Sequence, residues 1–97
     1  MAEAGPQPDE DLPGELALLV EPLAVEIHLA WMKAKLSQGW QPGALNREAM
    51  THPDLVPYHQ LSESSKILDR KSALAALSGL DRLGYRVVRK PGSAARG

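Results

Sequence analysis

Three side chains that could together hold a flat, charged ligand follow one another along the sequence: His28, Trp31 and Lys35. On a helix, residues at these intervals share one neighbourhood of the surface. An indole ring stacks on a nucleobase, and neighbouring cations pair with phosphate. The trio therefore fits a nucleotide-type ligand. The plainer alternative is that Trp31 belongs to the core and that His28 and Lys35 are solvated residues at its edge.

Two further residues could extend such a site. Trp40 directly follows Gly39, where the predicted helix ends, and its amphipathic ring would either pack on the helix end or face a cleft. Arg47 lies in the following loop, from which a guanidinium can reach a phosphate. Packing is the more frequent role for such a tryptophan, and an isolated loop arginine is more often solvated. Both residues are candidates for ligand binding beside the trio.

The segment from His52 to Tyr58 contains two prolines that fix its backbone, Pro53 and Pro57. His52 and Tyr58 can each bury a ring while hydrogen-bonding through a polar tip, so a structural role competes with ligand binding for both. His52, Asp54 and His59 do not have the spacing of a metal site, and no third strong ligand accompanies the histidines. We expect neither a metal ion nor a cofactor.

A last group of charged residues, Lys66, Asp69 and Arg70, falls within about one helical turn. The Arg70 guanidinium has the forked geometry that suits phosphate, and Lys66 could add a second cation. A local ion pair or a helix cap at Asp69 is the more frequent explanation for such a cluster. Lys66 and Arg70 complete the set of candidate ligand-binding residues.

The composition indicates a single globular domain and argues against several classes of function. The 97 residues suffice for one domain, and 43% hydrophobic residues indicate a packed core. A net charge of -1 argues against binding of a nucleic-acid polymer or an anionic membrane. The sequence has no cysteine, an acidic start, and no apolar run of the ~20 residues that span a bilayer. We expect a cytoplasmic protein that does not bind membranes.

The most distinctive predicted element is a helix from about Pro22 to Gln38, ended by Gly39. Its apolar residues form two opposite stripes at helical spacing. One stripe is Leu23, Ile27, Ala30, Trp31 and Ala34, and the other is Val25, Leu29, Met32 and Leu36. A surface helix buries only one stripe, so either the preceding segment 16–20 or a partner subunit should cover the second. Segment 16–20 is too short to distinguish helix from strand.

The remaining sequence predicts a long ordered loop from Gly39 to Leu61, interrupted by prolines. A second helix should start at Ser62 or Asp69 and end at Leu83. Residues 85–88 resemble a short closing strand. We predict a folded domain over residues 14–89 between an acidic, proline-rich disordered tail, 1–13, and a second disordered tail, 90–97. The fold class is mainly α with minor β, built from two packed helices with long ordered loops and short strands.

Taken in order, several short motifs resemble the ryanodine-receptor repeat, or RyR, domain. They comprise His28, Trp31 and Lys35; Gly39-Trp40 with Gly43; the segment His52-Pro53-Asp54-Leu55-Val56-Pro57-Tyr58; Leu61, Lys66 and Asp69-Arg70; and Gly84-Tyr85. One departure is Pro42, which stands where the family often has an aromatic residue before the second glycine. If that ring helps to form a pocket, the pocket of this chain is altered.

The resemblance implies a compact helix pair with ordered loops, of the type found as stand-alone prokaryotic or phage modules. It also implies sensing of a nucleotide or a nucleotide-derived signal. In the ryanodine receptor, an intracellular calcium-release channel, these repeats occur as tandem pairs. This chain has one copy, so we expect a homodimer. The alternative function is a module for protein interaction or assembly without a small ligand. We expect no enzymatic activity, because no nucleophile is spaced with a base and an orienting group.

Overall fold

The computed structural model describes residues 14–91, and its architecture is the mainly helical one expected. The predicted tail 1–13 and residues 92–97 of the second predicted tail lie outside the described residues. Three helices, α1 (Gly14–Ala17), α2 (Val20–Ser37) and α3 (Glu63–Arg82), are accompanied by strands β1 (Gln41–Pro42) and β2 (Thr51–His52) and a 3-10 turn (Tyr58–Gln60).

The segment before the long helix is helical and turn-like. Helix α1 ends at Ala17, two turn residues follow, and α2 begins at Val20, slightly earlier than predicted. Pro22 is tolerated there because the amide groups of a first helical turn have no partner within the helix. Leu16 of α1 is buried against Leu77 of α3. The N-terminal segment is therefore anchored on the second long helix.

Helices α2 and α3 form the core of the domain. Ala24 and Ala73 are both fully buried and pack in one cluster with Tyr58 and Leu61. Small side chains let two helix backbones approach closely, and the larger ring of Tyr58 fills the space beside them. The 3-10 turn is thus a structural part of the core.

The two stripes predicted on α2 do not match its buried face. Ala30 and Ala34 are exposed, whereas Ala24 and His28 are the buried positions. An apolar pattern does not include His28, which is buried because its ring nitrogens face the Val56 carbonyl and the Asp69 carboxylate. Leu23, Ile27 and Trp31 of the first stripe are half-buried.

No described residue covers the second stripe of α2. Val25, Leu29 and Leu36 are 38%, 42% and 47% exposed, and Met32 is half-buried. Helix α1 does not cover this stripe, because its buried residue Leu16 packs with Leu77, Val20 and Leu23. Of the two covers proposed from the sequence, the preceding segment is therefore excluded.

The loop after α2 contains a two-stranded parallel ladder, in which Gln41 is in register with Thr51 and Pro42 with His52. Gly39 has a φ of 97°, a left-handed conformation that lets the chain leave the helix. Gly43 has a φ of 155°, and a Cβ atom there would approach the Thr51 Cβ to 3.2 Å. Both glycines are thus required by the local path of the chain.

Helix α3 begins after Ser62, whose hydroxyl accepts a hydrogen bond from the Ser65 amide at 3.2 Å. This cap decides between the two predicted starts. Ala73 and Leu77 of its predicted face are buried, but Leu80 and Leu83 are exposed. The strand predicted over residues 85–88 is wrong, because this segment has no ladder partner and instead packs Val87 beside Leu16 and Leu77.

Candidate functional site

An open cleft of about 490 Å³ lies between the C-terminal half of α2 and the loop that follows it. Its wall residues are Trp31, Lys35, Trp40, Leu45, Arg47 and His52. Except for Leu45, all of them were candidate ligand-binding residues in the sequence. Five of the nine candidate ligand-binding residues therefore line one cavity of the fold.

Three rings form the aromatic wall of the cleft. The His52 ring meets the Trp31 indole edge-on, with centroids 5.1 Å apart and planes at 75°. The same imidazole contacts Trp40 at 6.5 Å and 62°. His52 thus lies between the two tryptophans and contacts both.

The charged residues of the cleft are both cationic. The Lys35 ammonium lies 4.6 Å from the centre of the Trp40 ring, within the range of a cation–π contact. The Arg47 guanidinium makes no ion pair or hydrogen bond with any residue in the part of the chain that the structure describes. No Asp or Glu within residues 14–91 lines the cleft. The cleft therefore favours an anion.

Backbone hydrogen bonds hold the loop side of the cleft in place. The Trp40 amide donates to the Lys35 carbonyl at 3.0 Å, which folds the tryptophan back onto the end of α2. The Gln41 amide donates to Met50, and the Gly43 amide donates to His52. Trp40 and His52 are consequently fixed by the same short ladder.

The backbone after His52 also constrains its ring. The Asp54 amide donates to His52 Nδ1 at 3.0 Å. In the neutral imidazole this acceptor role leaves the proton on Nε2, which is then a hydrogen-bond donor. The loop therefore selects one tautomer of a cleft residue.

His28 lies behind the cleft and does not line it. Its side chain is 4% exposed, and its ring stacks on Trp31 at 5.6 Å with an interplanar angle of 26°. His28 Nε2 lies 2.7 Å from the Val56 carbonyl oxygen, and Nδ1 lies 3.5 Å from the Asp69 carboxylate. These contacts make His28 a support for Trp31.

Burial raises the pKa of Asp69, an effect that the neighbouring Asp54 reinforces and His28 opposes. Asp54, Ser65, Asp69 and Ser72 line a second hollow of about 270 Å³, which shares Trp31 with the cleft. The indole thus separates a cationic cleft from an acidic hollow.

Tyr58, Lys66 and Arg70 form a separate cluster on the helix pair. Arg70 Nε donates to Glu21 at 2.7 Å and Nη1 donates to Glu63 at 2.7 Å. The Lys66 ammonium lies 5.8 Å from the centre of the Tyr58 ring. None of the three lines the cleft, so the structure does not bring them together with the other predicted ligand residues.

The electrostatics of this cluster are those of a structural network. Hydrogen bonds from Arg70 hold the pKa of Glu21 below its usual value. Burial, followed by the nearby Glu21 carboxylate, raises the pKa of Tyr58. Two carboxylates raise the pKa of Arg70 further, so its charge is committed to the bridge between α2 and α3.

Leu45 is the lining residue that the sequence prediction missed. It is 63% exposed and adds an apolar side chain to the lining of the cleft. A single leucine in a loop has no pattern that would mark it as functional. Pro42, which replaces an aromatic residue of the family pattern, pairs with His52 in the ladder and is not among the lining residues.

Within residues 14–91, no three His, Asp or Glu side chains are grouped closely enough to hold a metal ion. None of the helices within residues 14–91 combines the length and the apolar character needed to cross a bilayer.

Comparison with protein families agrees with the motifs and the fold. The family model described as the RyR domain matches residues 7–89. The matched range contains α2, α3, the ladder between them and every residue of the cleft. Because the match covers most of its length, the chain belongs to the RyR domain family.

Proposed function

We propose that this domain binds a nucleotide or a nucleotide-derived signal in the cleft formed by Trp31, Lys35, Trp40, Leu45, Arg47 and His52. The observation that carries the proposal is the pairing of two indoles with two cations around one open cavity. Aromatic faces suit a base, and the cations suit phosphate. A ligand with both parts would use both halves of the cleft.

The two cations have different roles in this proposal. Lys35 already lies over Trp40, so it adds positive charge beside the stacking surface. Arg47 is unpaired among residues 14–91 and has a guanidinium that can bind two phosphate oxygens at once. His52 supplies a donor between the rings through Nε2 in its neutral form. The base would stack while the phosphate reaches Arg47.

Intrinsic fluorescence provides a site-specific test. Trp31 and Trp40 are the only tryptophans of the chain, and both line the cleft. Titration with adenine nucleotides, ADP-ribose compounds and cyclic nucleotides should quench or shift the emission and give a saturable curve, with excitation at the red edge to limit absorption by the base. Calorimetry on the same samples should return the same dissociation constant.

Fragments of a nucleotide test the aromatic and the cationic halves of the cleft separately. Adenosine tests stacking alone, inorganic phosphate tests the cations alone, and an intact nucleotide should bind more tightly than either. Lys71→Ala, an exposed helix α3 residue away from the cleft, serves as a charge control. A folded protein whose fluorescence and heat signals do not respond to any compound of the panel would contradict the proposal.

We further propose that binding occurs without turnover, as for a sensor. The ligand should be recovered unchanged by chromatography after prolonged incubation with the protein. Conversion of a nucleotide at a rate that follows protein concentration and is abolished by a cleft substitution would instead indicate an enzyme.

A further inference from the structure

Helix α2 has an open face whose spacing is that of a helix-pairing seam. Val25, Leu29, Met32 and Leu36 follow one another at intervals of four, three and four residues. This is the a/d pattern through which two helices interlock their side chains. We call these four residues the α2 seam.

The α2 seam borders a groove that residues 14–91 leave unfilled. The groove has a volume of about 310 Å³ and lies between the seam and the 3-10 turn, where Pro57, Tyr58 and His59 form the opposite wall. Its lining is mainly carbon, in contrast to the charged cleft. Apolar side chains from another helix would therefore fit it better than a polar ligand.

Two charged residues flank the seam on the side away from the groove. Glu26 and Lys33 are both exposed and, within the described part of the chain, neither makes an ion pair. In the heptad that the seam defines, both occupy e positions, which face each other across an antiparallel helix pair. Glu26 of one helix would then meet Lys33 of the other, and Lys33 would meet Glu26.

We propose that the α2 seam is the interface of a two-fold homodimer, in which α2 pairs antiparallel with α2 of a second copy of this chain. The pairing sets Val25 against Leu36 of the second copy and Leu29 against Met32. The sequence of the seam is self-complementary only in this orientation, because a parallel pair does not bring the two e positions together. A second copy is thus preferred over an unrelated helix.

The dimer does not rest on the proposed ligand, since the seam and the cleft have no lining residue in common. Its first test is sedimentation of the full chain from about 1 μM to about 500 μM, a range that detects micromolar association. We expect a dimer that dissociates on dilution. A monomer throughout this range would overturn the proposal.

Leu29→Asp should convert the dimer to a monomer over most of the range, because it places two carboxylates in the apolar seam. Ile67→Asp is the matched control: Ile67 is 41% exposed, close to the 42% of Leu29, but belongs to α3. It should leave the dimer intact. Dissociation by Ile67→Asp and not by Leu29→Asp would assign the interface to another face.

Charge reversal tests the orientation. Glu26→Lys and Lys33→Glu should each weaken the dimer about tenfold, because each replaces two attractions by two repulsions. The double variant should restore the original dissociation constant. If the double variant is weaker than both single variants, the antiparallel register is wrong.

Crosslinking gives an independent measure of register in a chain that has no natural cysteine. A mixture of the Leu29→Cys and Met32→Cys proteins should form a disulfide-linked heterodimer faster than either protein crosslinks with itself. Preferential self-crosslinking of Leu29→Cys would indicate a parallel pair and contradict the proposal.

Discussion

The buried imidazole of His28 stacks on the Trp31 indole, with ring centroids 5.6 Å apart and planes inclined by 26°. His28 is itself fixed by Val56 and Asp69. The aromatic wall of the cleft is therefore supported from inside the domain. His28 was predicted from the sequence to contact a ligand, but in the structure it supports the position of Trp31.

Replacement of His28 should mainly affect stability. His28→Ala leaves the Val56 carbonyl without its donor, opens a cavity beside Trp31 and isolates the Asp69 carboxylate. We expect the free energy of unfolding to fall by about 2 to 4 kcal/mol, measured by urea denaturation. The control His59→Ala changes an exposed histidine and should cost less than about 0.5 kcal/mol. A fully stable His28→Ala protein would contradict this supporting role.

Replacement of Arg47 should affect binding and spare stability. Arg47→Ala removes the unpaired guanidinium, and we expect about tenfold weaker binding of a phosphate-bearing ligand, or about 1.4 kcal/mol. The melting temperature should stay within about 1 °C of the unsubstituted protein. Binding of adenosine should be unchanged, which distinguishes loss of a phosphate contact from damage to the cleft.

Replacement of Trp40 should weaken binding of the base. Trp40→Ala removes one stacking surface and the ring beneath Lys35, at a cost of about 1 to 3 kcal/mol in binding free energy. Trp40→Tyr keeps an aromatic face and should retain most of the affinity. Calorimetry is the appropriate measurement, because the Trp40 variants retain only one of the two tryptophans. Equal affinities of the Ala and Tyr variants would exclude stacking at this position.

The Glu21–Arg70 bridge predicts a pH dependence of stability. The pKa of Glu21 is lowered in the folded state, so its contribution is present above the ordinary value of 4.5 and is lost as pH falls through the lower folded value. Glu21→Gln should therefore be less stable than the unsubstituted protein near pH 7, and the difference should shrink as pH falls from about 5 to about 3.

The difference in unfolding free energy between Glu21→Gln and the unsubstituted protein should also fall in about 1 M salt, because the bridge is exposed to solvent. Glu48→Gln provides the control, since Glu48 is exposed and makes no ion pair with the described residues. Urea denaturation across the pH series measures both variants. A difference that grows toward low pH would contradict the assignment of Glu21.

Features that depend on neighbours in sequence could be predicted. Gly39 ends α2 through its own φ angle, and Ser62 caps α3 through an amide three residues later. The candidate residues Lys35, Trp40 and Arg47 lie close together for a similar reason, because one tight turn and one ladder join the segments that carry them. Their role in ligand binding stays a prediction.

Features that depend on distant contacts could not be predicted. Arg70 pairs with Glu21, 49 positions away in sequence, and therefore does not join the candidate site. The carbonyl that accepts from His28 belongs to Val56, 28 positions away. Residues 85–88 have strand propensity, but they do not form a strand because no described strand lies beside them to pair with. In each case the deciding partner comes from another element.

All residues that line the cleft come from one stretch of 22 residues, 31–52, and none comes from α3. The proposed recognition surface is therefore nearly continuous in sequence, although Trp31 and Lys35 also belong to α2. Substitutions between Trp40 and His52, outside both long helices, should change the binding preference of the proposed site while the helices keep their packing. Transplanting residues 40–52 between homologous scaffolds should carry that preference with it.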